Sequence, residues 1–350
     1  INGCLVGSEM CIRDRLYALQ ATGNGHITRA NELVPIFKKH AKVDILVSGT
    51  ESSLKLNFNV KYKFKGLSFV FGKRGGISFF HTIRKVNFIR LFIDIWNLKL
   101  DDYDLILIDF EPISAWAAKL QNKKAFALSH QYALVNENVP MIKKLSFIHK
   151  LILKFYAPVK KGFGFHFAKY DKNIFFPIIS KNIRKLKPKV KDHYAIYLPA
   201  YSVKKLKKIF TKLNRFNFHI FSKEVKEKVL HKNLTLQPIN SKVFSISMAN
   251  SLGVICGAGF ETPAEAIYLK KKLLVIPMKN QFEQKCNAFA LKELGYKVTP
   301  KLNKTKIENW LKIKEYPTLN YKHNSYEVVE KVLLYHIKTL DNIQILPKNN

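Results

Sequence analysis

Two hydrophobic patterns alternate along this chain: short, wholly apolar runs that stop at small or polar residues, and longer stretches with apolar residues at helical spacing. Leu16–Gln20 is a run of the first kind, ending at Ala21-Thr22-Gly23-Asn24-Gly25-His26. Ala30–His40 is of the second, with Leu33, Val34, Ile36 and Phe37 on one helical face. Val43–Val47 is β-branched and ends at Ser48-Gly49. Strand, glycine-rich turn, helix, strand is the order of a βαβ unit. Leu105–Ile108 and Ala125–Leu128 predict further buried strands, with a helix over Ser114–Leu120 between them. Phe163–Phe167 and Asn173–Phe176 predict late strands. Continuous apolar strands separated by helices belong in a parallel sheet covered on both faces.

The pattern then restarts. Ser180–Lys191 is Lys-rich and carries Pro188, as a linker would. Strands are predicted over Ala195–Leu198, Phe216–Phe221, Leu234–Leu236, Gly253–Cys256 and Leu273–Ile276. Val203–Leu213, Thr262–Leu269 and Glu283–Leu294 predict helices, the last stopped by Gly295, and Val243–Ala249 reads as a strand-to-helix region. Ser325–Thr339 is a final amphipathic helix. The chain therefore predicts an α/β protein of two Rossmann-like halves: an N-terminal domain over 16–179, a linker over 180–191, a second domain over 192–324, and a terminal helix over 325–340 packing back on the first domain. A length of 350 residues and a hydrophobic content of 47% are sufficient for two cores.

Ile1–Arg15 (INGCLVGSEMCIRDR) lacks the basic region followed by an apolar core that marks a signal peptide. It resembles the translated sequencing-adapter sequence found at the ends of metagenomic gene models, so the fold is expected to begin at Leu16. Cys4, Cys11, Cys256 and Cys286 fit neither a metal spacing nor a disulfide framework, which predicts a reducing, cytoplasmic setting. No apolar stretch reaches the roughly 18 residues of a spanning helix.

Three segments carry candidate chemistry. In Thr22-Gly23-Asn24-Gly25-His26, a glycine-rich turn lets backbone N–H groups approach an anion at the start of a helix. His26 then faces the cleft where open α/β sheets bind ligands, as a base for an attacking hydroxyl or as a helix cap. In Gly257-Ala258-Gly259-Phe260-Glu261-Thr262-Pro263-Ala264-Glu265, small residues again join a strand to a helix, and the first-turn N–H groups suit a diphosphate. Glu265 can accept hydrogen bonds from a ribose diol; Glu261 either shares the site or is an acid favoured by the helix dipole. Gln281 and Gln284 follow a strand closed by Pro277 and can hold sugar hydroxyls. Asp109 and Glu111 end a buried strand as alternative bases or loop anchors, and His130 follows the next strand. Asp102-Tyr103-Asp104 precedes a strand and reads as a loop, so no bound metal is expected.

Taken together, Gly257–Gly295 (GAGFETPAEAIYLKKKLLVIPMKNQFEQKCNAFALKELG) resembles the donor-site region of GT-B glycosyltransferases, nearest to the lipid-linked N-acetylglucosaminyltransferases of peptidoglycan synthesis. Thr22–Ala30 (TGNGHITRA) is similar to that family's N-terminal loop. Asp109–Pro112 (DFEP) and Ser129–Gln131 (SHQ) look like an uncharacterised bacterial branch. The resemblance implies a GT-B fold with a cleft between the domains and an inverting transfer from a uridine diphosphate sugar, with no bound cofactor. It implies that Gly257, Ala258, Gly259 and Phe260 cradle the diphosphate, that Glu265 holds the ribose, and that Gln281 and Gln284 touch the sugar. His26 would be the base or would orient the acceptor. Pro199-Ala200-Tyr201-Ser202 departs from the family's glycine-rich turn there.

Charge adds one more constraint. Sixty Lys+Arg against 25 Asp+Glu give a net +35, which predicts attraction to polyanions. The basic, aromatic-rich stretches Lys61–Arg90 and Met141–Lys191 both fall in the acceptor half. They suit a peripheral position on an anionic membrane face with a lipid-linked acceptor, or form a solvated basic surface. A nucleic-acid-binding protein is the alternative by charge, but no nucleic-acid-binding signature is present and none is expected as a partner. A nucleotide-sugar epimerase is the alternative by fold.

Overall fold

In the computed structural model, residues 14–49, 55–66, 87–142 and 146–344 are described. They form two seven-stranded sheets. The first contains β1 (Asp14–Gln20), β2 (Val43–Ser48), β3 (Tyr62–Phe64), β4 (Tyr103–Asp109), β5 (Ala125–Ser129), β6 (Lys161–Phe165) and β7 (Ile174–Phe175), in the spatial order β3-β2-β1-β4-β5-β6-β7. The second contains β8 (Tyr194–Tyr197), β9 (Phe218–Phe221), β10 (Val229–His231), β11 (Leu234–Gln237), β12 (Gly253–Cys256), β13 (Lys272–Val275) and β14 (Lys297–Val298), in the order β10-β11-β9-β8-β12-β13-β14. Pairing is parallel throughout the first sheet, and in the second only β10 against β11 is antiparallel.

The central strands are buried on both faces, as continuous apolar runs require: Leu16 through Leu19, Leu105 through Ile108, and Val254 through Cys256 are all essentially inaccessible. The sheet begins at Asp14, two residues before the expected Leu16. Asp14 and Arg15 pair with Tyr103, Leu105 and Val43, so they belong to the fold. Residues 1–13, with the rest of the expected leader, lie outside the described residues.

The intervening helices are α1 (Asn24–Phe37), α2 (Phe88–Asn97), α3 (Pro112–Leu120), α4 (His130–Ala133), α5 (Ser146–Tyr156), α6 (Lys181–Arg184), α7 (Val203–Phe210), α8 (Ser241–Asn250), α9 (Glu261–Tyr268), α10 (Phe282–Glu293), α11 (Lys304–Leu311) and α12 (Ser325–Gln344). Helix α8 covers the whole of the expected strand-to-helix region, because the Asn240 side chain accepts from Val243 N–H and starts the helix at once. The β10 edge strand was not expected, since Val229–His231 is mostly exposed and carries no apolar run. Within 180–191, α6 docks through buried Ile183 and the Arg184–Glu32 ion pair (2.9 Å). Helix α12 lies against the first sheet: Val328, Val329 and Val332 are buried, and the Tyr335 ring meets Phe126 and Phe163 edge-on at 5.5 and 5.6 Å.

Close strand approach depends on glycine at one position in particular. A Cβ at Gly162 on β6 would stand 2.3 Å from the Ala127 carbonyl oxygen of β5. Gly162→Ala should therefore cost about 1–3 kcal/mol, the price range of overpacking, seen as a lowered Tm with unchanged circular dichroism of the folded state. An unchanged Tm would show that β5 and β6 can separate freely.

Candidate functional site

In open parallel sheets, ligands bind beyond the carboxyl ends of strands where the strand order reverses. The reversal lies between β1 and β4 in the first sheet and between β8 and β12 in the second. Residues at or just past all four of those strand ends line one cleft of about 390 Å³: Gln20 and Thr22, Phe110, Tyr197, and Gly259. The glycine turn from Thr22 to Gly25, His26 and Arg29 form one wall with His130 and Gln131. Phe260, Glu261, Gln281 and Glu283 face them from the second sheet's side. The cleft is thus the meeting point of both halves.

Helix caps set the cleft apart. Side chains cap α2 (Asn87), α3 (Glu111), α4 (Ser129), α6 (Ser180), α7 (Ser202), α8 (Asn240) and α11 (Asn303). Helices α1, α9 and α10 begin at Gly23, Phe260 and Gln281 with no side-chain cap. Those three residues all line the cleft. First-turn N–H groups need an acceptor, and the positive ends of the helix dipoles favour an anion. The two halves approach closely at the first turn of α1: a Cβ on Gly25 would lie 2.8 Å from a Glu261 carboxylate oxygen, and that side chain would have to move. Gly259 is open, with nothing within 4 Å of an added Cβ.

Beneath the α1 turn lies a buried charged cluster. The Asp109 carboxylate is inaccessible and accepts from Arg29 Nε and Nη2, both at 2.8 Å, while His26 Nδ1 lies 2.8 Å from its Oδ1. Burial alone would raise the Asp109 carboxyl, but the Arg29 guanidinium and His26 outweigh it and hold the group below the ordinary carboxylate value. An ionised Asp109 accepts from the imidazole Nδ1–H and leaves Nε2 facing away from the acid. Asp109 thereby orients His26, and both of its oxygens are engaged.

Arg29 also reaches across the cleft, with Nη1 3.8 Å from Glu261 Oε1. Burial pushes Glu261 up to about 7, with Arg29 opposing and Asp109 and Glu283 adding to the rise. Burial, and then Glu261, pushes Glu265 up to about 8. Glu265 sits one helical turn behind Glu261, outside the cleft lining, and its carboxylate has no partner among the described residues.

Other expected site residues take structural positions. Glu111 is inaccessible and caps α3, accepting from Ile113 N–H at 2.9 Å and from Ser114 N–H and Oγ–H at 2.6 Å. Its burial and these bonds hold it at the start of α3. Gln284 Oε1 accepts from Ala258 N–H (3.2 Å) and Met278 N–H (2.9 Å), so this oxygen braces the Gly257–Gly259 turn. Gly257 and Ala258 lie behind the cleft, Ala258 fully buried. His130 stacks on Phe260 at 3.9 Å, with Nδ1 2.9 Å from Phe165 O and Nε2 3.0 Å from Asn287 Oδ1, tying the two halves together.

Two polar atoms in the cleft lack partners among the described residues: the buried Oε1 atoms of Gln131 and Gln281. Buried carbonyl oxygens without donors are uncommon, and both would accept from hydroxyl groups. Arg29 and Phe110 were not singled out by the sequence reading. Arg29 had a signal, a charged residue on the buried face of α1 one turn after His26. Phe110 had one only in the backbone, where φ is +55°. That conformation costs a bulky L-residue roughly 1–2 kcal/mol.

Comparison with known proteins fits this geometry. The chain matches the model of glycosyl transferase family 1 over residues 14–314. No curated protein matches by sequence. Among solved structures, the chain is similar to the glycosyltransferase of kitacinnamycin, with a TM-score of 0.56, 11% identity, and 95% of this chain and 99% of that one covered. It is similar to S. aureus MnaA in a co-structure with UDP (TM-score 0.58, 12% identity, 94% and 97% covered). It is also similar to Acinetobacter baumannii MurG (TM-score 0.50, 13% identity, 95% and 99% covered). At these identities the likeness is one of fold, and the fold is GT-B.

The two raised acids give a pH signature. Glutamates with native pKa values of about 7 and about 8 bind protons more tightly folded than unfolded, where the value is roughly 4.3. Their stabilisation is complete below the unfolded value and is lost as pH rises through the native ones. Tm should fall from pH 5 to pH 8 more steeply in the wild type than in Glu265→Gln, and at pH 8 the variant should melt about 2–4 °C higher. Parallel curves for the two proteins would contradict the assignment.

Proposed function

Since the chain belongs to glycosyl transferase family 1, we propose that it moves a hexose or N-acetylhexosamine from a UDP-sugar to a hydroxyl of a lipid-linked acceptor. The observation that carries this reading is the meeting of three uncapped helix N-termini in one cleft with two unpartnered amide oxygens. The diphosphate lies at the first turn of α9, opposite the turn of α1. The ribose diol hydrogen-bonds to the Glu265 carboxyl, one helical turn behind the lining residue Glu261 and without a partner among the described residues. The transferred sugar presents a hydroxyl to Gln281 Oε1.

Transfer follows from that arrangement as a single displacement. His26 Nε2 removes the acceptor hydroxyl proton, with Asp109 holding the ring and its Nδ1–H. The acceptor oxygen attacks the anomeric carbon as the bond to the diphosphate oxygen breaks, so the anomeric centre inverts. Negative charge growing on the leaving UDP meets helix N-termini that are already oriented, with little reorganisation needed. An epimerase needs the donor half of this cleft alone. The wall of Phe110, Leu134, Ile152 and Leu153 on the other side gives an acceptor a place to bind, which favours transfer.

The first half also carries an apolar face suited to an anionic membrane surface. On α2, Ile89 is 76%, Phe92 69% and Trp96 74% exposed. Leu120 and Phe155 are exposed as well, and Lys99, Lys119, Lys154 and Lys160 are exposed in the same half. Apolar side chains enter the interface while ammonium groups meet lipid phosphates. No described helix is long and apolar enough to cross a membrane.

Two experiments test this reading. In UDP-release assays over a panel of UDP-sugars, Glu265→Ala should raise the donor KM by roughly 10- to 100-fold. His26→Ala should lower kcat by about 10²- to 10⁴-fold and leave donor KM nearly unchanged. Equal loss of donor affinity in both variants would refute the division of roles. Separately, the protein should float with vesicles containing phosphatidylglycerol but not with pure phosphatidylcholine, and Phe92→Ser with Trp96→Ser should release it. Flotation indifferent to both changes would remove the membrane from the account.

A further inference from the structure

Phe110 joins two buried acids with opposite tasks. Asp109 turns inward to Arg29 and His26, and Glu111 turns to cap α3. The residue between them must reverse the chain, and φ of +55° does so. Glycine adopts that conformation without strain, and the other described non-glycine residues with positive φ are Asn or Lys. Here the position holds a phenylalanine, half-exposed, whose ring stacks on Tyr156 at 4.6 Å and lines the cleft. Among the described residues the ring belongs to none of the three hydrophobic clusters of the core. Strain retained to present an aromatic surface at a ligand cleft points to a ligand.

The neighbouring groups indicate its chemistry. Gln131, also on the first-sheet side, has a buried Oε1 with no partner, while its Nε2 donates to Glu283 at 3.2 Å. Leu134, Ile152 and Leu153 complete an apolar wall around these two residues. The subsite therefore offers one aromatic platform, one hydrogen-bond acceptor and an otherwise apolar lining. A flexible polyol would leave the platform unused, and a purely apolar molecule would leave Gln131 unsatisfied.

We propose that Phe110 and Gln131 form the acceptor subsite and select a ring-shaped acceptor. Its apolar face stacks on Phe110, and a ring hydroxyl donates to Gln131 Oε1. The shared chemistry is a ring with one apolar face and a hydroxyl, and a sugar ring and a phenol are its two sources. The inference rests on the transferase reading, because it assigns the side of the cleft opposite the UDP-sugar.

Saturation-transfer NMR of the full chain in the presence of UDP tests it, with methyl β-D-glucopyranoside, 4-methylphenol and glycerol as probes. One or both rings should bind, the stronger naming the source, and glycerol should not. Phe110→Ala and Phe110→Gly should each weaken ring binding about three- to tenfold, and Phe110→Trp should restore it. UDP affinity should stay unchanged in all three variants. Phe110→Gly should melt no lower than the wild type, an outcome a purely structural ring would not give. Ring binding that survives in Phe110→Gly, or a wild-type chain that binds UDP but no ring better than glycerol, would overturn the proposal. A wild-type chain that binds no UDP would instead overturn the donor reading beneath it.

Discussion

The buried carboxylate of Asp109 constrains everything around the cleft. It sits at the end of a central strand with no access to water, so its charge must be met from within the protein. Arg29 meets it with two hydrogen bonds and His26 with a third contact. Both partners come from α1, one turn apart, so the pair sets the rotation of that helix about its axis and the path of the glycine turn before it. The same bonds fix which nitrogen of His26 faces away from the acid. Removing one member of such a buried pair typically costs about 3–5 kcal/mol, so the cluster serves structure and chemistry together. It also explains why Phe110 is strained: the two acids that flank it are both tied down.

A second constraint is backbone satisfaction. Most helices here are closed by an Asn, Ser or Glu side chain at the first turn, and that chemistry is local and inexpensive. Three described helix starts without a side-chain cap, those of α1, α9 and α10, converge on one space from two different sheets. Their proximity follows from topology, since α1 and α9 each follow the first strand on one side of a switch point. The first turn of α9 also carries Glu261, a poor neighbour for an anion, and its carboxyl is pushed up to about 7. A ligand anion there favours the protonated acid, which couples nucleotide binding to pH.

Much of this architecture is legible in the sequence, for a physical reason. Parallel strands buried on both faces are unbroken apolar runs, and the residues just past them are the ones that reach a ligand. Thr22–His26 and Gly259–Glu261 were found on that basis and they do face each other. The sequence places the start of α1 at His26 and the structure places it at Asn24, because glycine at 25 argues against helix on propensity alone. The sequence leaves the roles of Asp109, Glu111 and Gln284 open for a related reason: a strand-end acid or amide looks the same whether its partner is a ligand or a group of the protein. Glu111 did carry a sign, since Pro112 at the first helical position and Ser114 two residues on mark a capped helix start. For Asp109 the deciding partner is Arg29, 80 residues away in sequence. No local pattern reveals it.

The central claim is that the uncapped helix ends form a site for a uridine diphosphate group. Calorimetric titration of the protein with UDP, UMP and ADP tests it most directly. UDP should bind more tightly than UMP by about tenfold or more, as expected for charge-assisted hydrogen bonds to a second phosphate, and more tightly than ADP. Equal binding of UDP and UMP would mean that the helix ends do not hold the diphosphate, and the account of the cleft would be wrong.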